Sequence, residues 1–171
     1  MVRAIKPIKI LLFTEGTIIM HKRAVGHSRM QIIKQVKKEQ ESAHDYASYV
    51  PIGNAFKKLN VWKNQGAEIL YLTSRKMPDE IEQIRAVLKK HGFPEGRLLF
   101  RQKDEEYKDV AERIVPDILV EDDCESIGGV DEMTITHIRL GVKKKIKSIV
   151  VKEFEGIDHL PNHIIDLMNV N

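Results

Sequence analysis

The chain has a single cysteine, a single tryptophan and six prolines among its 171 residues, and aromatic residues make up only 6% of it. With Cys124 alone, an intrachain disulfide is excluded, and the usage fits a reducing, cytoplasmic compartment. No apolar run approaches the ~20 residues that span a bilayer, so no membrane partner is expected. The opening "MVRAIKPIKILLF" lacks a small-residue cleavage pattern and reads as the first strand rather than a signal peptide. The basic clusters "KQVKK" (34–38) and "KKK" (143–145) have no aromatics interleaved with them. No zinc-finger or RNA-binding motif accompanies them, so they read as solvated faces and no nucleic acid is expected as a partner. Internal repeats and low-complexity linkers are also missing.

What is present describes a globular protein. The chain is 42% hydrophobic and 31% charged, with a net charge of +3. Its length suits one domain, 1–171, with a substantial core. Short apolar runs bounded by charge, Gly or Pro predict strands over 8–13, 67–73, 97–101, 117–121 and 146–152. Runs of this kind fit strands buried on both faces of a parallel sheet. The helix predicted in "MPDEIEQIRAVLKKHG" has Pro78 near its first position and Asp79 and Glu80 in its first turn. Ile81, Ile84, Val87 and Leu88 form one face, and Gly92 follows as a stop. A second helix places Ala55, Leu59 and Trp62 on one face before Gly66. A third, "EEYKDVAERIVP", ends against Pro116, and "PNHIIDLMNV" predicts a short terminal helix opening with Pro161. Alternation of strands and helices predicts an α/β fold: a three-layer α/β/α Rossmann-like domain with a mainly parallel five-stranded sheet.

Residues 21–50 are irregular. Met30, Ile33 and Val36 at helical spacing predict one helix, after which "SAHDYASYVP" returns toward the sheet. The segment reads as a small helical insertion after the first strand, either a modest cap over the site or a crossover helix with a long loop.

Ligands in such sheets bind beyond the carboxyl ends of the strands, and the polar residues gather there. The first cluster is Phe13-Thr14-Glu15-Gly16-Thr17, the second Thr73-Ser74-Arg75, and the third Glu121-Asp122-Asp123. A basic residue ahead of the third, Lys108 or its rivals Lys103 and Arg101, completes the set.

In this ordered set the chain resembles the haloacid dehalogenase-like superfamily, most of whose members are phosphatases. It looks like a small member with a degenerate first motif. The family's hallmark is D-x-D-G-T after the first strand, then Thr or Ser after the second, then Lys or Arg, then an acidic pair. The resemblance covers about residues 8–127 and implies the sheet order 5-4-1-2-3. It places the attacking carboxylate at Phe13 and the acid/base at Glu15, with Gly16 and Thr17 matching the motif. Thr73 takes the phosphate-holding hydroxyl, with Ser74 and Arg75 beside it, and Lys108 the phosphate-holding cation. Asp122 takes the metal acid, with Asp123 as second choice. The implied cofactor is Mg²⁺, its binding weakened because the family's metal also uses the first carboxylate.

Phe13 is the departure. A phenyl ring has neither a lone pair to attack phosphorus nor a charge to hold a cation. The expected function is therefore a phosphatase-fold protein, inactive or severely impaired, that binds a phosphorylated small molecule or protein partner. The alternative is a Mg²⁺-dependent phosphomonoester hydrolase using Glu15 and a non-standard nucleophile. A receiver-like signalling domain is disfavoured because the acids follow a late strand. Each feature also has a bland reading: Phe13 as the last core residue of a strand, Thr73 as a turn cap, Lys108 as an exposed lysine. Cys124, flanked by Asp122, Asp123 and Glu125, makes a poor nucleophile because negative neighbours suppress the thiolate. The seven histidines lack zinc-type spacing. Monomer and homodimer both remain open.

Overall fold

A computed structural model describes residues 6–38 and 45–171. In chain order the strands are β1 (Lys9–Phe13), β2 (Ile19–His21), β3 (Tyr49–Pro51), β4 (Glu68–Leu72), β5 (Arg97–Leu99), β6 (Ile118–Asp122) and β7 (Lys147–Val151). The helices are α1 (Arg29–Lys37), α2 (Ala55–Asn64), α3 (Pro78–Lys90), α4 (Tyr107–Ile114), α5 (Thr134–His137) and α6 (Leu140–Lys143). Five strands form one parallel sheet in the order β5-β4-β1-β6-β7. This differs from the expected 5-4-1-2-3, because β2 and β3, which the sequence did not predict, fall in the chain between the first two strands of the sheet. They pair antiparallel with each other, apart from the main sheet. Three-residue strands are too short to show a periodicity.

Strand alternation divides the core in two. Ile10 and Leu12 of β1, with Ile69 and Tyr71 of β4 and Ile118 and Val120 of β6, pack against α2 and α3. Leu11, Leu70, Leu72 and Leu119 face the other way, against Val110 and Ala111 of α4 and Ile135 of α5. Central strands buried on both faces have no polar side to show, which is why their sequences are continuous apolar runs.

The helices follow local signals. α3 starts with Pro78 at its first turn, buries the predicted Ile81, Ile84, Val87 and Leu88, and stops before Gly92 at φ 73°. α1 starts with a capping box in which Ser28 and Gln31 satisfy each other's backbone N–H groups. Its buried face is Ile32 and Ile33, whereas Met30 is 68% exposed. This corrects the predicted Met30–Ile33–Val36 stripe. The terminal segment is a 3-10 turn over Ile164–Asn169 rather than a helix opening at Pro161. The Pro161 carbonyl instead accepts a 2.9 Å bond from Trp62 Nε1, pinning the tail to α2. Of the irregular 21–50 segment, residues 39–44 lie outside the described ones; the rest contributes α1 and β3, and its return is to β2, not to the main sheet. No helix among the described residues is long and apolar enough to cross a membrane.

Candidate functional site

Parallel strands bring their carboxyl ends to one rim, where backbone bonds tie the exit loops together. Thr14 N donates to Leu72 O, Thr73 N to Leu99 O, Asp123 N to Val151 O, and Phe154 N to Gly16 O, all at 2.8–3.0 Å. A cleft of about 590 Å³ opens over this rim. Phe13, Glu15, Gly16, Ser74, Arg75, Lys108 and Asp122 line it; Thr73 is fully buried just beneath.

Phe13 ends β1 with its ring on the α4 side of the sheet, packed with the Leu11 and Leu72 cluster. It meets Tyr107 edge to face, centroids 5.0 Å apart at 76°. Such a pair gains attraction beyond its buried area, because the ring edge is positive and the ring face negative.

Glu15 is held from several directions. Its Oε1 accepts from Thr73 Oγ1 at 2.5 Å, and its Oε2 accepts from Thr14 Oγ1 at 2.5 Å and Ser74 N at 3.2 Å. Arg75 Nε lies 3.7 Å from Oε1. The Arg75 guanidinium also donates to Ser74 Oγ and to the Tyr46 hydroxyl, and stacks 4.7 Å from the Tyr46 ring centroid. Burial opposes the charge on Arg75, but Glu15, Tyr46 and Tyr49 more than offset it, and its pKa lies above the ordinary value. Tyr46 reaches the site from the segment just before β3.

On the far half of the rim, Thr17 Oγ1 donates to Asp122 Oδ2 at 2.8 Å. Gly16 adopts φ 80°, a conformation that favours glycine. A Cβ there would stand 3.1 Å from Asp122 Oδ2. Asp123 is gripped by the Arg29 NH2 group through both oxygens, at 3.0 and 2.8 Å. The same guanidinium donates to Glu153 O at 3.0 Å and pairs with Glu125. Arg29 thereby fastens α1 to the loops after β6 and β7. Glu121 does not face the cleft as a free acid. It accepts from Thr134 N and Ile135 N at 2.7 and 2.9 Å, holding the start of α5.

Asp122, Asp123 and Glu153 bring carboxylate oxygens within 4.8 Å of one another, hard donors of the type that Mg²⁺ takes. Both oxygens of each are already engaged, however. Asp122 accepts from Thr17 and Cys124 N, Asp123 from Arg29 and Glu153 N, and Glu153 from Ser126 Oγ and N. Burial pushes the carboxyl groups of Asp122 and Glu153 above the usual range. At the end of β1, where the sequence resemblance expects a further carboxylate, stands the Phe13 ring. The three acids, each already sharing its oxygens with a donor, make an incomplete Mg²⁺ site beside the set that the resemblance implies.

The basic candidates separate. Lys108 lies at the cleft but pairs with Glu106 at 2.9 Å, beside solvent. Lys103 is exposed and does not line the cleft. Arg101 lines it, with its guanidinium carbon 4.0 Å from the Tyr107 ring centroid. Burial and neighbouring acids, Asp122 first among them, push the Cys124 thiol well above its ordinary value. Sequence reasoning missed Arg29, Tyr107 and Glu153. Only Glu153 carried a signal, as a polar residue just past the end of a fifth strand.

No family model matches the chain, and no curated protein sequence matches it. Among solved structures, a class C acid phosphatase from Bacillus anthracis with tungstate bound gives a TM-score of 0.57 at 15% identity. That match covers 90% of this chain and 70% of that one. The chain therefore shares the fold of that phosphatase, and at this identity the likeness speaks for the fold alone. A universal stress protein in complex with cAMP gives a TM-score of only 0.29 at 11% identity, over 85% of this chain and 94% of that one, and carries no argument.

Proposed function

We propose that the chain is a phosphatase-fold binding domain that takes a phosphorylated small molecule or partner in its cleft and does not hydrolyse it. The observation that carries this reading is Phe13. Its ring ends β1, where the sequence resemblance expects the attacking carboxylate, and packs edge to face against Tyr107. Loss of a covalent nucleophile lowers kcat by roughly 10⁴ to 10⁶.

The accounting around Glu15 argues against a rescued hydrolase. A stand-in nucleophile needs a free lone pair aimed at the substrate. Glu15 instead accepts from Thr14, Thr73 and the Ser74 N–H, and faces Arg75. The engaged oxygens of Asp122, Asp123 and Glu153 support a site that works without a metal. The described parts of residues 21–50 serve in this reading as a small cap, fastened by Arg29 on one side and by Tyr46 with Arg75 on the other.

The test is hydrolysis of an aryl phosphate by the purified chain with Mg²⁺. The expected result is no turnover above background. A kcat on the order of 1 s⁻¹ or more, ordinary for an enzyme, would overturn the reading.

A further inference from the structure

The rim of the cleft is divided by charge. Arg75 and Arg101 follow β4 and β5 on one side of β1; on the other, Asp122 ends β6 and Glu153 follows β7. An anion therefore belongs on the β4–β5 side. Within that side the cations are unequal. Arg75 faces Glu15 and Lys108 faces Glu106. Arg101 forms no ion pair among the described residues, and its one bond is a long 3.5 Å contact from NH2 to Ser74 O. Its Nε is buried without a hydrogen-bond partner. A buried guanidinium donor left open is rare in a finished structure, and an acceptor from a ligand is what completes it.

Arg101 is also held in place. It lies over the Tyr107 ring at 4.0 Å. The Tyr107 ring in turn meets Phe13 edge to face. Phe13 thus does more than remove a carboxylate: it supports the ring that carries the arginine. The cleft, at about 590 Å³, is far larger than phosphate alone and lies in the range of small-molecule sites. Phe13, Met20, Tyr49 and Tyr107 give it an apolar, largely aromatic wall.

Resting on the binding reading above, we infer that the cleft is a metal-independent receptor for a small aryl phosphomonoester. The phosphate is taken by Arg101 stacked on Tyr107, and the ligand ring lies against the aromatic wall. The guanidinium does the work of charge neutralisation that a cation at the end of β1 would otherwise do.

Calorimetric titration of the full chain in EDTA tests this, with inorganic phosphate, phenyl phosphate and glycerol 3-phosphate as probes. Phenyl phosphate is expected to bind at least about tenfold more tightly than glycerol 3-phosphate. Arg101→Gln is expected to weaken phenyl phosphate binding by about tenfold or more. Arg101→Lys, which keeps the charge but not the flat stacked fork, is expected to lose part of that affinity and serves if Arg101→Gln does not fold. Equal affinities for phenyl and glycerol phosphates overturn the aryl specificity. Unchanged affinity in both Arg101 variants overturns the anion site while the binding reading stands. Binding of none of the three anions by the wild type overturns the binding reading, and this inference with it.

Discussion

The Thr17 hydroxyl donates to Asp122 at 2.8 Å, joining the loop after β1 to the end of β6 across 105 residues of sequence. Thr17 is fully buried and Asp122 is 7% exposed, so the Thr17 hydroxyl has no water to turn to. Thr17→Val keeps the shape and removes the donor. It is expected to lower stability by about 1–3 kcal/mol, read from urea denaturation. No change would mean that the Cys124 N–H alone satisfies Asp122.

Glu15→Gln leaves the Arg75 charge without its acid in a site where both side chains are largely covered, 13% and 27% exposed. A loss of about 3 kcal/mol is expected. If Glu15 were a solvated turn residue, the variant would melt with the wild type.

Phe13→Asp removes a packed ring and puts a carboxylate beside Tyr107 and the Leu11 cluster. The expected loss is about 3–5 kcal/mol. Millimolar Mg²⁺ should raise the melting temperature of this variant and leave the wild type where it is. A rise in the wild type would show that the engaged oxygens of Asp122, Asp123 and Glu153 still take a metal.

Arg29→Met loosens α1 from the β6 and β7 loops, because one guanidinium there binds Asp123, Glu125 and the Glu153 carbonyl together. Amide exchange in α1 is expected to speed up while β1 and β4 keep their protection. Uniform acceleration through the sheet would show that the clamp supports the whole fold instead.

Cys124 is half-buried, and burial together with Asp122, Glu121 and Glu153 holds its thiol protonated. At a pH of about 8.5, the ordinary thiol value, iodoacetamide is expected to modify the folded chain at least about tenfold more slowly than the urea-unfolded chain. Equal rates would remove the electrostatic account of the loop after β6.

The sheet was legible because its strands are buried on both faces and read as apolar runs, and α3 because Pro78, its acids and Gly92 mark both ends. The loops at the carboxyl ends were legible for the same reason: polar residues directly after an apolar run have one place to go. The ribbon of β2 and β3 was not, since three residues with half-buried sides carry no pattern. Nor was Arg29, an ordinary surface-type residue in a basic stretch. Its partner Asp123 is 94 residues away, and nothing local announces a pairing that only the crossovers create. The choice among Arg101, Lys103 and Lys108 turned on geometry too, because the ring beneath Arg101 comes from a different element.

Phe13 stands in register with Leu72 of β4, and the next N–H, that of Thr14, donates to the Leu72 carbonyl. A ladder of this kind joins groups that every residue except proline carries, so the backbone ladder, unlike the packing around the ring, does not distinguish an aspartate from a phenylalanine at that place. The hydrogen-bonded scaffold and the side chain it presents to the cleft are therefore separable at one residue. A side chain can change there, at a cost in packing, while every bond of the ladder stays in place.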